Sequence, residues 1–317
     1  MKIKMTQQFN ANDLDLSLSP KQLKPLFMIQ SHRHAWAIAF NWIIMAISIA
    51  VGIYFFHPLL YFLVVLIIGA RMHALGILMH DAVHYRFLKN RKWNDLLTDL
   101  FCAYPIFTTL DGYRQNHLKH HQHLNTDHDP DWIAKIGKKE FECPKTKLEF
   151  ITTLLSYLIL YQGIRDAIWF LKRFRTPEGN SKKAPKKKNY NRLIFYVLLF
   201  TILTIVGGWK WFLLFWFIPY LSAFFMFQYI RSIAEHFGDL SYDHLLTSTR
   251  TVKPNWLESF FIAPHQVGYH LEHHLYPGVP FYNLPKLHNL LMEDDSYSGK
   301  AHLTQGYMQG LFNELGG

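Results

Sequence analysis

The rest of the chain is organised around the stretch His117-Leu-Lys-His-His121. Two similar stretches lie before and after it, His80-Asp-Ala-Val-His84 and His270-Leu-Glu-His-His274. Residues three and four apart share one face of a helix, so each of these histidine boxes presents two or three imidazoles on one side. Neutral imidazole is a good ligand for iron, zinc, copper and nickel. Eight histidines in three boxes are too many for one tetrahedral zinc and suit two metal ions.

A single histidine pair at helical spacing is more often exposed or packed in a core than bound to a metal. Here three boxes share one class of spacing, in a chain that contains 19 histidines. Without a metal, such polar clusters beside apolar segments would cost free energy with no compensating interaction. The three boxes together therefore favour a metal site.

The composition indicates a membrane protein. The chain has 317 residues, of which 50% are hydrophobic and 16% aromatic, and the apolar residues come in long runs. The net charge is +10, and nine basic residues against one acid lie between Lys172 and Arg192. A basic run beside an apolar helix is typical of the cytoplasmic side of a membrane, and we expect no nucleic-acid partner. Two cysteines, Cys102 and Cys143, support neither a disulfide framework nor an iron–sulfur site.

Four apolar runs predict membrane-spanning helices, because about 20 apolar residues cross a bilayer core. These spans are residues 36–56, 59–79, 193–206 and 211–230, arranged as two hairpins. Residues 1–34 form a cytoplasmic lead-in with a helix that starts at Ser19-Pro20, and residues 80–192 and 231–317 form a helical cap. The turn around Gly207 to Lys210 has one lysine, so the charge asymmetry puts the boxes on the cytoplasmic side. The predicted fold is one all-α integral membrane domain over residues 1–317, with the metal site in the cap.

Several segments around the boxes have more than one interpretation. Residues 96–110 predict an interfacial or re-entrant helix, and residues 148–171 favour a helix on the membrane surface over a further span. The turn at residues 125–132 carries three acids that either orient imidazoles or are simply solvated. His73 is more typical of a packed core histidine than of a group that supports the metal. His236, one residue after Glu235 and just past the last span, is a candidate ninth ligand.

Nine nitrogen ligands around two irons would leave few open positions. Such a centre could bind dioxygen, take electrons from outside and remove hydrogen from an unactivated C–H bond. The sequence contains no flavin, nicotinamide or haem fingerprint that would supply this oxidising power instead. Because the boxes lie where helices leave the bilayer, a lipid-like chain is the natural substrate.

Residues 36–290 resemble the integral membrane fatty acid desaturase family in the order, spacing and placement of the boxes. The stretch Tyr269 to Pro277, followed by Asn283-Leu-Pro-Lys-Leu-His288, is also similar to that family's C-terminal signature. The resemblance implies oxygen-dependent removal of two hydrogens from a fatty acyl chain, which gives a cis double bond and water. It implies two iron ions and electrons from a separate ferredoxin or cytochrome b5 donor, and we expect a bacterial inner membrane. The implied ligands are His80, His84, His117, His120, His121, His236, His270, His273 and His274.

Two departures from the family pattern leave the ligand set open. Ser232 stands where the family often has an asparagine, four residues before the position of His236, and residue 123 is an additional histidine. We expect no fused cytochrome b5 domain. Hydroxylases and ketolases of the same superfamily share the boxes, so the sequence does not fix the outcome of C–H cleavage. A histidine-rich metal transporter would require ionisable residues within the spans, and a zinc protease would require His-Glu-x-x-His, which is absent.

Overall fold

The computed structural model describes residues 16, 18–175 and 190–316, so most of the basic run at 172–192 lies outside the described residues. The α-helices comprise Pro20–Leu23, Ser31–Tyr54, Pro58–Val83, Arg91–Thr98, Leu110–Gln122, Pro130–Ile133, Lys147–Leu158, Tyr161–Arg175, Tyr190–Ile205, Trp209–Phe212, Phe225–His236, Trp256–Phe261, His270–Leu275, Leu284–Met292, Asp295–Ser298 and Leu311–Gly316. Short 3-10 turns occur at Lys24–Phe27, Tyr104–Ile106, Lys139–Phe141, Leu245–Thr247, Pro264–Gln266 and Phe281–Asn283. Wider π-helical turns occur at Asp99–Ala103, Leu213–Phe217, Tyr220–Phe224 and Gly306–Gly310. Within the described ranges, the strands are Thr251–Lys253 and Leu303–Gln305, which pair in parallel.

Three helices are long and apolar enough to cross a membrane. We call Ser31–Tyr54, Pro58–Val83 and Trp209–His236 the first, second and third long helices. The remaining predicted span, residues 193–206, falls in the apolar helix Tyr190–Ile205, which has 16 residues. The described part of the chain is therefore that of a mostly helical membrane protein, and the small parallel strand pair is its one departure from an all-α fold.

Many apolar side chains of the first long helix, of the start of the second and of Tyr190–Ile205 are exposed rather than buried. Trp36 is 66% exposed, Ile47 58%, Leu59 76% and Ile205 78%. So much exposed apolar surface is unfavourable in water and suits contact with lipid.

The second long helix is the centre of the fold. It packs against the first and third long helices, and its residues from Ile68 to Val83 are buried. It crosses the third long helix at Gly69, where a Cβ atom would lie only 2.4 Å from the Cβ of Ala223. Beyond this close crossing, the C-terminal ends of both helices lie near each other.

The predicted segment 96–110 belongs to a helical stretch that runs from Arg91 to Ile106. This stretch ends at Phe107, whose φ is 60°. Trp42 of the first long helix donates to the carbonyl of Phe101, and Trp216 of the third donates to that of Pro105. The segment therefore packs against the first and third long helices, and both the re-entrant and the interfacial interpretation stay predictions.

One predicted segment differs from the structure. Residues 148–171 form two helices rather than one, because the chain turns at Leu160, whose φ is 70°. The lead-in helix begins at Pro20 with Ser19 as its cap, as predicted, and Ser19 forms a capping box with Gln22. Its continuation, however, buries Leu26 among Leu271 and other leucines of the cap, so it packs on protein there.

Candidate metal centre

The first histidine box lies at the end of the second long helix. His80 is in the last turn of Pro58–Val83, and His84 caps its C-terminus. The helix extends four residues past residue 79, the predicted end of the span, because its backbone hydrogen bonds continue into the polar residues that follow. The same helix therefore carries the long apolar segment and ends at both rings.

The second histidine box lies on Leu110–Gln122. The side chain of Thr109 accepts a hydrogen bond from the N–H of Gly112 and so begins this helix. His117 and His121 are four residues apart, and their Nε2 atoms lie 2.9 Å from each other. The His120 ring faces elsewhere, with its centroid 4.8 Å from that of His236. One helix therefore contributes to two groups of imidazoles.

The third histidine box lies on the six-residue helix His270–Leu275. The Nε2 atoms of His270 and His274 are 3.0 Å apart. His273 points to the other group, with its Nε2 atom 3.0 Å from that of His121.

His236 is the last residue of the third long helix, and its Nε2 atom lies 3.0 Å from that of His270. The structure thus brings all nine sequence-predicted histidines together. Eight of them form two groups of four, and within each group the candidate ligand atoms all lie within 4.8 Å of one another. The first group is His80, His117, His121 and His273, and the second is His120, His236, His270 and His274. His84 adjoins the first group, with its Nε2 atom 3.0 Å from that of His117.

The close nitrogen pairs do not form an ordinary hydrogen-bond network. The Nε2 atom of His117 meets two other Nε2 atoms at 2.9 and 3.0 Å, and that of His121 does the same. An imidazole nitrogen carries either one proton or one lone pair, so it cannot satisfy two such partners. A metal–nitrogen bond of about 2.1 Å puts two ligands at right angles about 3.0 Å apart. The spacing therefore fits metal ligands.

Burial also favours the form of histidine that binds metals. Burial lowers the pKa of five of these histidines well below the ordinary value, and the neighbouring imidazoles lower it further. The five are His117, His121, His270, His273 and His274. For His84, burial followed by the charges of Arg86 and Arg114 lowers the pKa to about 4. These rings are therefore neutral at pH 7 and keep a lone pair for a cation.

Asp129 supports His120 from the acidic turn. Its Oδ2 atom lies 2.8 Å from Nδ1 of His120, and the carboxylate is fully buried. The same carboxylate accepts backbone N–H groups from Asn125, Asp131 and Trp132. For Asp129, the interpretation that the turn orients an imidazole is correct, whereas Asp127 is exposed.

Two further residues near the groups were not singled out by sequence reasoning. Arg231 donates to Glu235 at 2.5 Å, and Glu235 lies 3.4 Å from Nδ1 of His270. Tyr113 stacks on His117, with ring centroids 5.5 Å apart. Arg231 and Tyr113 each lie one helical turn before a residue that the sequence had singled out, and that spacing was the available signal.

Other residues raised by the sequence lie outside the two groups. His73 is buried and contacts the carbonyl of Ile262 at 3.1 Å, as expected of a packed core histidine. His123 and His128 face each other, with ring centroids 5.7 Å apart. The Oγ atom of Ser232 is buried without a hydrogen-bond partner in the described part of the chain.

The geometry forms two adjacent histidine groups, each of which could hold a metal ion, at the ends of long apolar helices. The fatty acid desaturase family model matches residues 56–306. Dihydrorhizobitoxine desaturase of Bradyrhizobium elkanii is 32% identical over 254 residues, or 76% of this chain and 70% of that protein. Zeaxanthin 4-ketolase of Chlamydomonas reinhardtii is 26% identical over 67% of this chain and 40% of its own length. The sn-1 acyl-lipid omega-3 desaturase (ferredoxin) of Nostoc sp. (strain 36) is 24% identical over 69% of this chain and 63% of its own length.

This chain therefore belongs to the fatty acid desaturase family. It is a membrane oxidoreductase, and its histidine boxes are those of that family. Membership of the family removes the transporter and zinc protease as interpretations of the boxes.

Proposed function

We propose that this enzyme is an oxygen-dependent fatty acyl desaturase whose nine clustered histidines hold two iron ions. The observation that carries the proposal is the convergence of these imidazoles, from separate parts of the chain, into two adjacent groups. When bound, the iron pair would supply the dioxygen activation that cleavage of an unactivated C–H bond requires. The reaction takes two hydrogens from neighbouring methylenes and, with two electrons and two protons, reduces one dioxygen to two waters.

The two groups of imidazoles divide the ligands between the two ions. His80, His84, His117, His121 and His273 hold the first ion, and His120, His236, His270 and His274 hold the second. Asp129 fixes the ring of His120 by accepting its second N–H, and Glu235 is placed to do the same for His270. These residues keep the lone pairs aimed inward.

The proposed topology has four spans in two hairpins, with both groups of histidines on the cytoplasmic side. The three long helices and Tyr190–Ile205 are the spans, and the rest of the described chain forms the cap. The positive residues between 172 and 192 support this orientation, because such residues favour the cytoplasm.

The proposed substrate is a fatty acyl chain on a lipid or a thioester carrier. The site lies where the second and third long helices end, so an apolar chain could reach it from the bilayer. Electrons would come from a separate carrier of the ferredoxin or cytochrome b5 type. The name of the Nostoc relative, which includes ferredoxin, supports such a donor.

Expression in a host with a known lipid profile tests this function. We expect mass spectrometry to show acyl chains with two hydrogens fewer than the host's own, and two iron ions per purified chain. His270→Ala should abolish the new product and lower the bound iron, while His57→Ala, at an exposed position, should change neither. Full turnover and full iron in His270→Ala would refute the proposal.

A second candidate is hydroxylation or ketone formation on a lipid. The match to zeaxanthin 4-ketolase supports it, because that relative is named for ketone formation and related folds can carry out either reaction. The same mass spectra separate the two, since an alcohol or ketone adds one oxygen to the substrate.

A further inference from the structure

The helix that carries the third histidine box has little stability of its own. His270–Leu275 has six residues, and Tyr269, the residue before it, makes no side-chain capping hydrogen bond. The helices of the other two boxes have 26 and 13 residues. Because isolated helices shorter than about 12 residues are marginal in water, other parts of the molecule must orient this one.

Glu272 lies inside the third box and is fully buried. Its carboxylate meets three hydrogen-bonding groups, none of them among the nine clustered histidines. The hydroxyl of Thr251 donates at 2.5 Å, the hydroxyl of Tyr297 donates at 2.7 Å, and Nδ1 of His288 lies 2.5 Å away. A buried carboxylate can only accept hydrogen bonds, and three donors satisfy it.

The partners of Glu272 come from three different elements. Thr251 begins the strand that pairs with Leu303–Gln305, His288 lies on Leu284–Met292, and Tyr297 lies on Asp295–Ser298. Glu272 therefore joins the third box to the C-terminal part of the cap.

The stretch from Asn283 to His288 links the lead-in to the third box. At one end, the side-chain amide of Asn283 donates to the carbonyl of Leu26 at 2.8 Å and holds the lead-in. At the other end, His288 contacts Glu272.

We propose that Glu272 is a positioning residue, which together with Thr251, His288 and Tyr297 fixes the orientation of the third box. In this orientation His273 faces the first group of imidazoles while His270 and His274 face the second. The role rests on the proposed iron-dependent function and explains how one short helix serves both ions.

The test measures iron bound per purified full-length chain. The wild type is measured first, because a wild type without iron would refute the proposed function whatever Glu272 does. We expect Glu272→Ala to weaken iron binding about 10- to 100-fold, the usual effect of losing a residue that supports metal ligands. Glu272→Gln keeps an acceptor oxygen toward His288 and Tyr297, so it should restore most of the iron.

Glu258 provides a matched control. It is also buried, accepts backbone N–H groups from Asn255, Tyr307 and Met308, and contacts none of the clustered histidines. Glu258→Ala should lower the melting temperature but leave the iron per folded chain unchanged. Equal iron loss in Glu258→Ala and Glu272→Ala would overturn the positioning role.

Tyr297→Phe tests the positioning role of Glu272 if the Glu272→Ala protein does not fold. It removes one hydroxyl and keeps the ring, so the protein should remain folded with weaker iron binding. With Co²⁺ as a probe, its visible absorption bands should shift relative to the wild type. Unchanged bands together with unchanged iron content would contradict the proposal.

Discussion

At the scale of single residues, the structure explains why so many imidazoles can be buried together. In three of the rings, His117, His121 and His270, a nitrogen faces two others at about 3.0 Å, a position that suits a shared cation better than a proton. Asp129 then matters because it fixes which nitrogen of His120 keeps its lone pair.

Replacing Asp129 should therefore affect one ion more than the other. Asp129→Asn can keep an oxygen for the N–H groups of Asp131 and Trp132, but its NH2 group then replaces the oxygen that faces His120 and accepts from the N–H of Asn125, so His120 loses its acceptor. We expect the second ion to bind about 10-fold more weakly, so that gently dialysed protein retains nearer one iron than two. Iron analysis of Asp127→Asn, an exposed acid on the same turn, should match the wild type. Equal iron in both variants would count against this role for Asp129.

At the scale of elements, close helix packing holds the two groups of imidazoles in register. A Cβ atom at Gly69 would lie 2.4 Å from Cβ of Ala223 and 2.7 Å from the backbone nitrogen of Phe224. At Gly76, on the same helix, the nearest atom would be 3.7 Å away. The two glycines therefore differ sharply in the space around them.

This difference predicts opposite effects of the same substitution. Gly69→Ala should destabilise the protein by about 1–3 kcal/mol, because the second and third long helices must separate. Gly76→Ala should be neutral or stabilising by about 0.5–1 kcal/mol, because alanine favours a helix. Thermal unfolding in detergent would show this, and a Gly69→Ala protein as stable as wild type would disprove the close crossing.

Helices and their ends could be predicted from the sequence only where neighbouring residues determine them. The spacing of histidines gave the faces of the boxes, and Ser19-Pro20 gave a helix start. The break at Leu160 was missed, because the apolar run continues through a residue that adopts positive φ. The pairing of Thr251–Lys253 with Leu303–Gln305 was also missed, since it joins segments about fifty residues apart and leaves no periodic signal.

At the scale of the whole molecule, the sequence predicted that the nine histidines meet but not how they divide. His120 and His121 are neighbours on one helix, yet they belong to different groups. Which group a ring joins depends on how four elements are arranged around it. That arrangement comes from tertiary packing, and no spacing rule contains it.

The same arrangement predicts that iron removal destabilises the whole protein. The two groups join the second and third long helices, Leu110–Gln122 and the third box. A ligand that binds only the folded state at 100 times its Kd adds about 2.7 kcal/mol to stability. Chelation should therefore lower the melting temperature, and readdition of Fe²⁺ should restore it. A His117→Ala protein should respond less to the chelator, and an equal response would contradict the link.

The division of the third box also dictates an order of assembly during synthesis. His273 completes one group while His270 and His274 complete the other, so neither can close while residue 270 is still inside the ribosome. The first two boxes are translated about 150 residues earlier and must wait as an open pair. Under the proposed function, metal loading should therefore follow translation of nearly the whole chain rather than guide insertion of its first helices.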